Sequence, residues 1–162
     1  MKKICLIMCL YLSSTVHGVI YHEPTAQFKP RIAIAALYIE YEGKILLLHR
    51  QESKSQGNRW GIPGGKVDKG ETPQEAVLRE AKEETGYDFI NQPIENLGTV
   101  YIEYNEKDHF SYHMFRVKFV GDPAAVKINF HEHKGFTWVT PQDGLKLDLI
   151  QDEDACFKHT YG

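Results

Sequence analysis

The sequence predicts an α/β fold in one domain, from three observations. Apolar runs rich in β-branched residues, typical of strands, lie on both sides of a helical segment, Pro73 to Thr85. A second, shorter helix is predicted near the C-terminus, from Pro141. The chain of 162 residues is 42% hydrophobic and 25% charged, which suffices for a single buried core.

The first 18 residues have the pattern of an export signal. A lysine pair after the initiator methionine is followed by the apolar run Ile4 to Leu12 and a polar stretch that ends at Gly18. This run is shorter than the ~20 residues that span a bilayer. We therefore expect a cleaved signal peptide over residues 1–18 and a periplasmic or secreted protein that begins near Val19, with no stable membrane association. The alternative is a mis-assigned start or a buried first strand in a cytoplasmic protein.

A linker is expected over residues 19–30 and the folded domain over residues 31–162. Two apolar, β-branched runs with a short turn between them predict a β-hairpin: Ile32 to Tyr41 and Lys44 to His49. The polar loop Gln51 to Arg59 then leads to a pair of glycines that predicts a tight turn.

The helix that follows carries start and stop signals at both ends. Thr72 can cap the first turn, and Glu75 three residues later completes a capping box. Pro73 suits the first helical position, because its φ angle is preset there. Gly86 suits the left-handed residue that ends a helix. The helix is therefore predicted to run from about Pro73 to Thr85.

Three glutamates share one face of this helix. Glu80, Glu83 and Glu84 are spaced i, i+3 and i+4, so their carboxylates repel one another. A hard cation bound among them removes that repulsion, and Mg²⁺ or Mn²⁺, which prefer oxygen ligands, fit best. The alternative is a solvated helix face stabilised by ion pairs with Arg79. The preceding Gly64-Gly65 favours the metal site, since backbone without side chains can approach a ligand closely.

Beyond the helix, further strands are predicted. Gly98 to Tyr104 and Phe110 to Val120 read as two long strands that turn at Asn105 to Asp108. Phe136 to Val139 predicts another strand, and Pro141-Gln142-Asp143 begins the short C-terminal helix.

The segment from Gly65 to Tyr87 resembles the signature of the Nudix hydrolases. It reads GKVDKGETPQEAVLREAKEETGY and matches the pattern G-x5-E-x7-R-E-U-x-E-E-x-G-U at each fixed position. Ala81 and Tyr87 occupy the two positions that are usually bulky and aliphatic, and neither supplies chemistry. The resemblance implies an α/β/α sandwich around a mixed β-sheet. It also implies hydrolysis of a diphosphate bond in a nucleoside diphosphate derivative.

The resemblance further implies roles for individual residues. Glu80 and Glu84 would ligate the metal, with Glu83 as the remaining carboxylate and general base. A carbonyl of the glycine pair, at Gly64, would join the metal shell. Arg79 would orient the glutamates rather than contact substrate. The catalytic set is thus Arg79 with the three glutamates, and the expected cofactor is Mg²⁺ or Mn²⁺.

A fourth carboxylate is expected from outside this segment. Glu132 lies in the sequence HEHKGFTW, which resembles the segment that brings an extra glutamate to the metals in some Nudix subfamilies. The alternative is an ordinary exposed loop before a strand. The flanking His131 and His133 are interpreted as loop residues or substrate contacts rather than as a zinc pair.

The substrate is less well defined by the sequence. Arg50, Arg59 and Lys66 flank the glycine pair and are candidate phosphate contacts. Pro63 to Lys66 resembles the branch that cleaves nucleoside triphosphates, which favours such a substrate. Tyr104 lies where the dinucleoside polyphosphate branch carries a stacking tyrosine, so an Ap4A-like hydrolase is the alternative. A third reading is an inactive ligand-sensing or interaction module, which the retained glutamates oppose.

The charge limits the class of partner. A formal net charge of −3 argues against a nucleic-acid-binding surface, where a basic stripe is expected. A small nucleotide is still compatible with this charge, since a metal ion and a few local cations can neutralise its phosphates. The protein is expected to act as a monomer or homodimer.

Overall fold

A computed structural model of the chain describes residues 18–24, 26–105 and 108–162, without the side chains of residues 104, 105 and 108. Residues 1–17 of the predicted signal peptide and the two central residues, 106 and 107, of the predicted turn therefore lie outside the described residues. Within the described ranges, no helix is long and apolar enough to cross a membrane.

Along the described part of the chain, five strands precede the long helix and three strands follow it. The strands and helices are β1 Val19–Tyr21, β2 Ile32–Tyr41, β3 Lys44–Arg50, β4 Trp60–Gly61, β5 Gly64–Lys66, α1 Pro73–Thr85, β6 Glu95–Asn105, β7 Asp108–Lys118, β8 His133–Val139, α2 Pro141–Gly144 and α3 Glu153–Tyr161, with a 3-10 turn at Pro123–Ala125.

The strands form one mixed sheet, as predicted. Its order is β1-β6-β7-β2-β3-β4, with β5 paired to β2 and β8 paired to β3. Strands β2 and β7 are parallel, and the other pairings are antiparallel. The predicted hairpin is present only at its turn, where Glu40 pairs with Ile45 and Tyr41 with Lys44. Beyond that point the two strands separate, because β5 pairs with β2 instead.

Both faces of the sheet are covered by helices, which makes the predicted three-layer sandwich. Successive side chains of a strand point to opposite faces. Leu37 and Ile39 of β2 accordingly belong to the core that includes Val77 of α1. Tyr38, between them, belongs to the core that includes Phe157 of α3. Strand β2 therefore lies between the two cores, and β5 beside it lies close to α1.

The predicted linker, residues 19–30, is partly a structural element of the domain. Strand β1 pairs antiparallel with β6, with Ile20 opposite Ile102. Phe28 is buried between aromatic rings of β6 and β7. The expectation of a linker fails for these residues because their apolar side chains are buried against strands that are distant in sequence.

Other boundaries differ in smaller ways. Strand β6 begins at Glu95 rather than Gly98, with a register shift between Asn96 and Gly98, whose φ is 104°. Strand β8 begins at His133 rather than Phe136. The predicted C-terminal helix is two helices, α2 and α3.

Candidate active site

Helix α1 begins and ends at the residues that the sequence predicts. The Thr72 side chain accepts a hydrogen bond from the Glu75 backbone N–H at 3.2 Å, and the Glu75 carboxylate accepts from the Thr72 N–H at 2.8 Å. Gly86 ends the helix with φ of 76°, and its N–H donates to the Lys82 carbonyl. These caps fix the positions of the glutamates along α1.

Glu84 is the most deeply buried carboxylate of this helix. It is 4% exposed, and its Oε2 accepts a hydrogen bond from the Gly64 N–H at 2.8 Å. Burial raises the pKa of Glu84 to about 8; the Gly64 hydrogen bond opposes this rise, and the charges of Glu80 and Glu132 add to it. A cation bound beside Glu84 would favour the ionised form and lower that pKa.

Glu80 lies directly against the glycine strand. A Cβ atom added at Gly65 would overlap the Glu80 carboxyl group. A Cβ atom added at Gly64 would overlap the Ala35 carbonyl of β2. Neither glycine has a positive φ, and both lie in β5, so the predicted tight turn is an extended strand. The glycines are needed here for close packing, not for turn conformation.

Arg79 binds carboxylates of the site rather than facing open solvent. Its Nε and Nη2 donate to the two oxygens of Glu71 at 2.8 and 3.0 Å, and its Nη1 donates to Glu80 Oε1 at 2.8 Å. Hydrogen bonding to Arg79 lowers the pKa of Glu71 to about 2. Burial raises the pKa of Glu80, and the hydrogen bond from Arg79 opposes that rise. This geometry suits the orienting role expected of Arg79.

The two remaining carboxylates of the predicted metal set are more exposed. The side chain of Glu83 is 56% exposed and lies 3.6 Å from Arg79 Nη1. The side chain of Glu132 is 41% exposed and lies 3.8 Å from Lys54 Nζ. The negative charge of Glu132 raises the pKa of both Glu80 and Glu84, which places it near them.

The structure thus brings Gly64, Glu80 and Glu84 together and leaves Glu83 and Glu132 at a more exposed edge. Among the described residues, no three His, Cys, Asp or Glu side chains are close enough together to form a ready-made metal cluster. The donor set nevertheless fits a hard divalent cation. It consists of carboxylate oxygens, and two of the carboxylates, Glu80 and Glu84, lie against the glycines of β5. Burial raises the pKa of both.

The predicted phosphate contacts separate into two groups. Arg50 and Lys66 line a cavity of about 310 Å³ beside the glycine strand. Arg59 does not: it points toward Gln56 and Asp148, and it lines a different cavity. Arg59 is therefore not placed with the other two cations. Tyr104 lies in β6, but its side chain is outside the described residues.

The same cavity is lined by a buried carboxylate that no sequence motif marked. Glu153, at the start of α3, accepts hydrogen bonds from the Tyr112 hydroxyl at 3.0 Å and the Tyr38 hydroxyl at 3.3 Å. Burial raises the pKa of Glu153 to about 7. Three consecutive acids, Asp152 to Asp154, were the available signal, but which of them meets the tyrosine hydroxyls depends on contacts with β2 and β7.

The sequence also did not predict that His133 is a buried strand residue. It is 3% exposed and begins β8, whereas His131 is an exposed loop residue, as expected. Its Nε2 lies 3.6 Å from Glu84 Oε1, and its Nδ1 has no hydrogen-bond partner in the part of the chain described. Burial lowers the pKa of His133 to about 4, and the charges of Arg50 and Lys54 lower it further.

Known proteins resemble this chain in sequence and fold. The family profile of the NUDIX domain matches residues 29–160. The CTP pyrophosphohydrolase of Escherichia coli (strain K12) is 31% identical over 123 residues, which cover 73% of this chain and 82% of that protein. An uncharacterised Nudix hydrolase of Bacillus subtilis (strain 168) is 33% identical over 134 residues, covering 76% and 81%. The structure of the MutT protein from Methanosarcina mazei Go1 aligns with a TM-score of 0.64 and 31% identity, covering 82% of this chain and 96% of that one.

Proposed function

The chain belongs to the Nudix hydrolase family, and we propose that it hydrolyses the diphosphate bond of a nucleoside triphosphate-type substrate with Mg²⁺ or Mn²⁺. The observation that carries the proposal is the placement of Glu80 and Glu84 against Gly64-Gly65. This carboxylate pair lies beside a cavity that also contains cations and the buried Glu153.

The metal would be held by Glu80 and Glu84, with Glu132 and the Gly64 carbonyl as further oxygen donors. When bound, such an ion neutralises phosphate oxygens and supplies a water of lowered pKa for in-line attack on phosphorus. Glu83 is the least engaged carboxylate of α1, and it is the proposed acceptor of the proton of the attacking water.

The neighbouring residues keep this arrangement in place. Arg79 holds Glu80 through one hydrogen bond while two further hydrogen bonds tie its guanidinium to Glu71. The Gly64 N–H holds one oxygen of Glu84. The ligands are therefore oriented before a substrate arrives, which reduces the entropic cost of assembling the reacting groups.

The cavity would hold the parts of a nucleotide that do not contact the metal ion. Its volume of about 310 Å³ lies at the lower end of the usual range for small-molecule sites. Arg50 and Lys66 at the glycine strand would contact phosphates. Tyr112 and Glu153 would lie at the nucleobase end, where a carboxylate accepts a hydrogen bond from an exocyclic amino group such as that of cytosine. The similarity to a CTP pyrophosphohydrolase supports this choice.

A dinucleoside polyphosphate hydrolase is the second candidate. It is favoured by the position of the Glu132-His133 segment, since His133 lies 3.6 Å from Glu84. The two candidates differ in the length of the phosphate chain, so they can be separated by direct comparison of substrates.

The experiment is a substrate panel ranked by kcat/KM. It would contain the ribo- and deoxynucleoside triphosphates, ADP-ribose, diadenosine tetraphosphate and sugar nucleotides, each with Mg²⁺. We expect a nucleoside triphosphate to rank first, with CTP or dCTP above UTP. If diadenosine tetraphosphate led by about tenfold or more, a difference of ~1.4 kcal/mol, the second candidate would replace the first.

A further inference from the structure

We propose that His133 is a positioning residue that holds the Glu84 carboxylate in the orientation required to bind a divalent cation. This inference rests on the proposed function, because Glu84 is a ligand only if the site takes a cation. His133 would contact neither the substrate nor the ion.

The geometry places one donor opposite each oxygen of Glu84. The Gly64 N–H donates to Oε2 at 2.8 Å from one side. The imidazole Nε2 of His133 faces Oε1 at 3.6 Å from another strand, and both side chains are buried. A distance of 3.6 Å is longer than a hydrogen bond. Under this proposal, the contact must shorten to a hydrogen bond in the complex, as catalytic hydrogen bonds that are long in ligand-free structures often do.

The tautomer of His133 follows from its surroundings. A neutral imidazole carries a single N–H, on either Nδ1 or Nε2. Nδ1 has no partner in the described part of the chain, and a buried N–H without an acceptor is rare. In the cation-bound state that we propose, Glu84 is ionised, and Nε2 then faces a carboxylate oxygen, which attracts an N–H and repels a lone pair. The proton therefore belongs on Nε2, where it is directed toward Glu84.

A neutral donor is suited to this position. A lysine or arginine beside Glu84 would offset its charge and compete with a bound cation. The imidazole orients the carboxylate without neutralising it, and burial together with the charges of Arg50 and Lys54 favours its neutral form.

Backbone contacts fix His133 relative to helix α1. The His133 N–H donates to the Asn129 carbonyl at 2.8 Å, and the Asn129 N–H donates to the Glu84 backbone carbonyl at 3.3 Å. The Gln51 N–H donates to the Glu132 carbonyl at 2.8 Å, which attaches the same segment to the end of β3. The backbone of His133 is thus connected to that of Glu84 through two hydrogen bonds at Asn129.

The test compares two variants of the full-length protein. His133→Phe keeps a planar ring and removes the donor, and His133→Gln restores an N–H donor at a similar reach. His131→Gln, in the exposed part of the same loop, is the matched control. Affinity for Mn²⁺ is measured by electron paramagnetic resonance on the protein without nucleotide, and kcat, KM and the melting temperature are measured in parallel.

We expect His133→Phe to weaken Mn²⁺ binding by about 10-fold or more, the usual effect of losing a residue that orients a metal ligand. Its kcat should fall while KM for the nucleotide stays close to that of the wild type. His133→Gln should recover most of the affinity, and His131→Gln should behave as wild type.

Two results would overturn the inference. One is unchanged Mn²⁺ affinity in His133→Phe; the other is an equal loss in the Phe and Gln variants, which would assign the effect to shape rather than to the donor. Absence of Mn²⁺ binding and of turnover in the wild type would instead overturn the proposed function, so the two failures are distinguishable.

Discussion

At the scale of single residues, the site depends on a carboxylate that is buried beside another carboxylate. Glu84 has one hydrogen bond to backbone, and burial raises its pKa to about 8. An ionised group in this position is unfavourable unless a cation compensates it. Under the proposed function, the residue would contribute to metal binding at some expense to the stability of the metal-free protein.

Glu84→Gln should separate these two contributions. The substitution keeps the shape but removes a charged ligand, so kcat is expected to fall by ~10²-fold or more, comparable to the loss of one electrostatic catalytic group. Measured in EDTA, the melting temperature should stay the same or rise. Wild-type activity in this variant would show that the metal binds elsewhere.

The raised pKa also predicts a pH dependence of stability. The folded-state pKa of Glu84, about 8, exceeds the ordinary glutamate value of 4.5, so between these values the folded protein binds a proton that the unfolded chain does not. Stability in EDTA should therefore fall as the pH rises from about 5 to about 8, because the unfolded state binds fewer protons there. Chemical denaturation at several pH values measures this, and Glu84→Gln should show a shallower decline. A wild-type slope equal to that of the variant would contradict the assignment.

A different effect is predicted for a substitution of Glu153, because this residue lies at the proposed nucleobase end of the cavity. Glu153→Gln keeps an oxygen acceptor for the tyrosine hydroxyls but replaces the other oxygen by an amide donor. We expect KM for the preferred nucleotide to rise by roughly 10-fold, with kcat nearly unchanged and discrimination among bases reduced, within the ~1–3 kcal/mol of a base contact. A fall in kcat with unchanged KM would instead place Glu153 in the chemistry.

At the scale of elements, helix α1 and strand β5 form the site as a pair. The two glycines of β5 have different neighbours, which gives a matched comparison. Gly65→Ala places a methyl group against the Glu80 carboxylate, so it should reduce activity strongly while the rest of the sheet is unaffected. Gly64→Ala places it against the backbone of β2, so it should lower stability by about 1–3 kcal/mol, as overpacking does.

Thermal unfolding and steady-state kinetics on both glycine variants test this pair. The expected pattern is an active-site defect with a near-normal melting temperature in Gly65→Ala and a clearly lower melting temperature in Gly64→Ala. The reverse pattern would mean that the glycines of β5 are required for reasons other than these contacts.

Elements whose ends are marked by residues close in sequence could be predicted, and elements that depend on distant strands could not. The limits of α1 follow from Thr72, Glu75 and Gly86, which act through neighbouring backbone groups. Strand β5 contains two glycines, which disfavour strands, so only its pairing with β2 reveals it. The burial of His133 and of Glu153 was not predicted, because it depends on partners that are distant in sequence.

At the scale of the whole molecule, the N-terminal region joins the predicted export signal to the sheet. Strand β1 begins at Val19, which pairs with Glu103, and the Gly18 N–H donates to the Asp152 carboxylate at 3.2 Å. Cleavage after Gly18 would leave every residue of β1 in place. An exported enzyme whose mature chain begins near Val19 is our proposal.

Mass spectrometry of the protein from its native cell tests the export proposal. We expect a mature N-terminus near Val19 in the periplasmic or secreted fraction, because the lysine pair and apolar run before it have the pattern of a signal peptide. An intact Met1 in the cytosolic fraction would refute it. Export would also separate the enzyme from the cytosolic nucleotide pool, so its substrate would have to be extracytoplasmic.

The central claim is that the carboxylates of α1, set against β5, make a cation-dependent hydrolase. The most direct measurement is the release of pyrophosphate from CTP by the purified full-length protein, first with Mg²⁺, then with excess EDTA, then after Mg²⁺ is restored. We expect turnover with Mg²⁺, its loss in EDTA and its recovery, with Glu84→Gln reduced by ~10²-fold under the first condition. Turnover that EDTA leaves unchanged, with wild-type rates in Glu84→Gln, would contradict the claim.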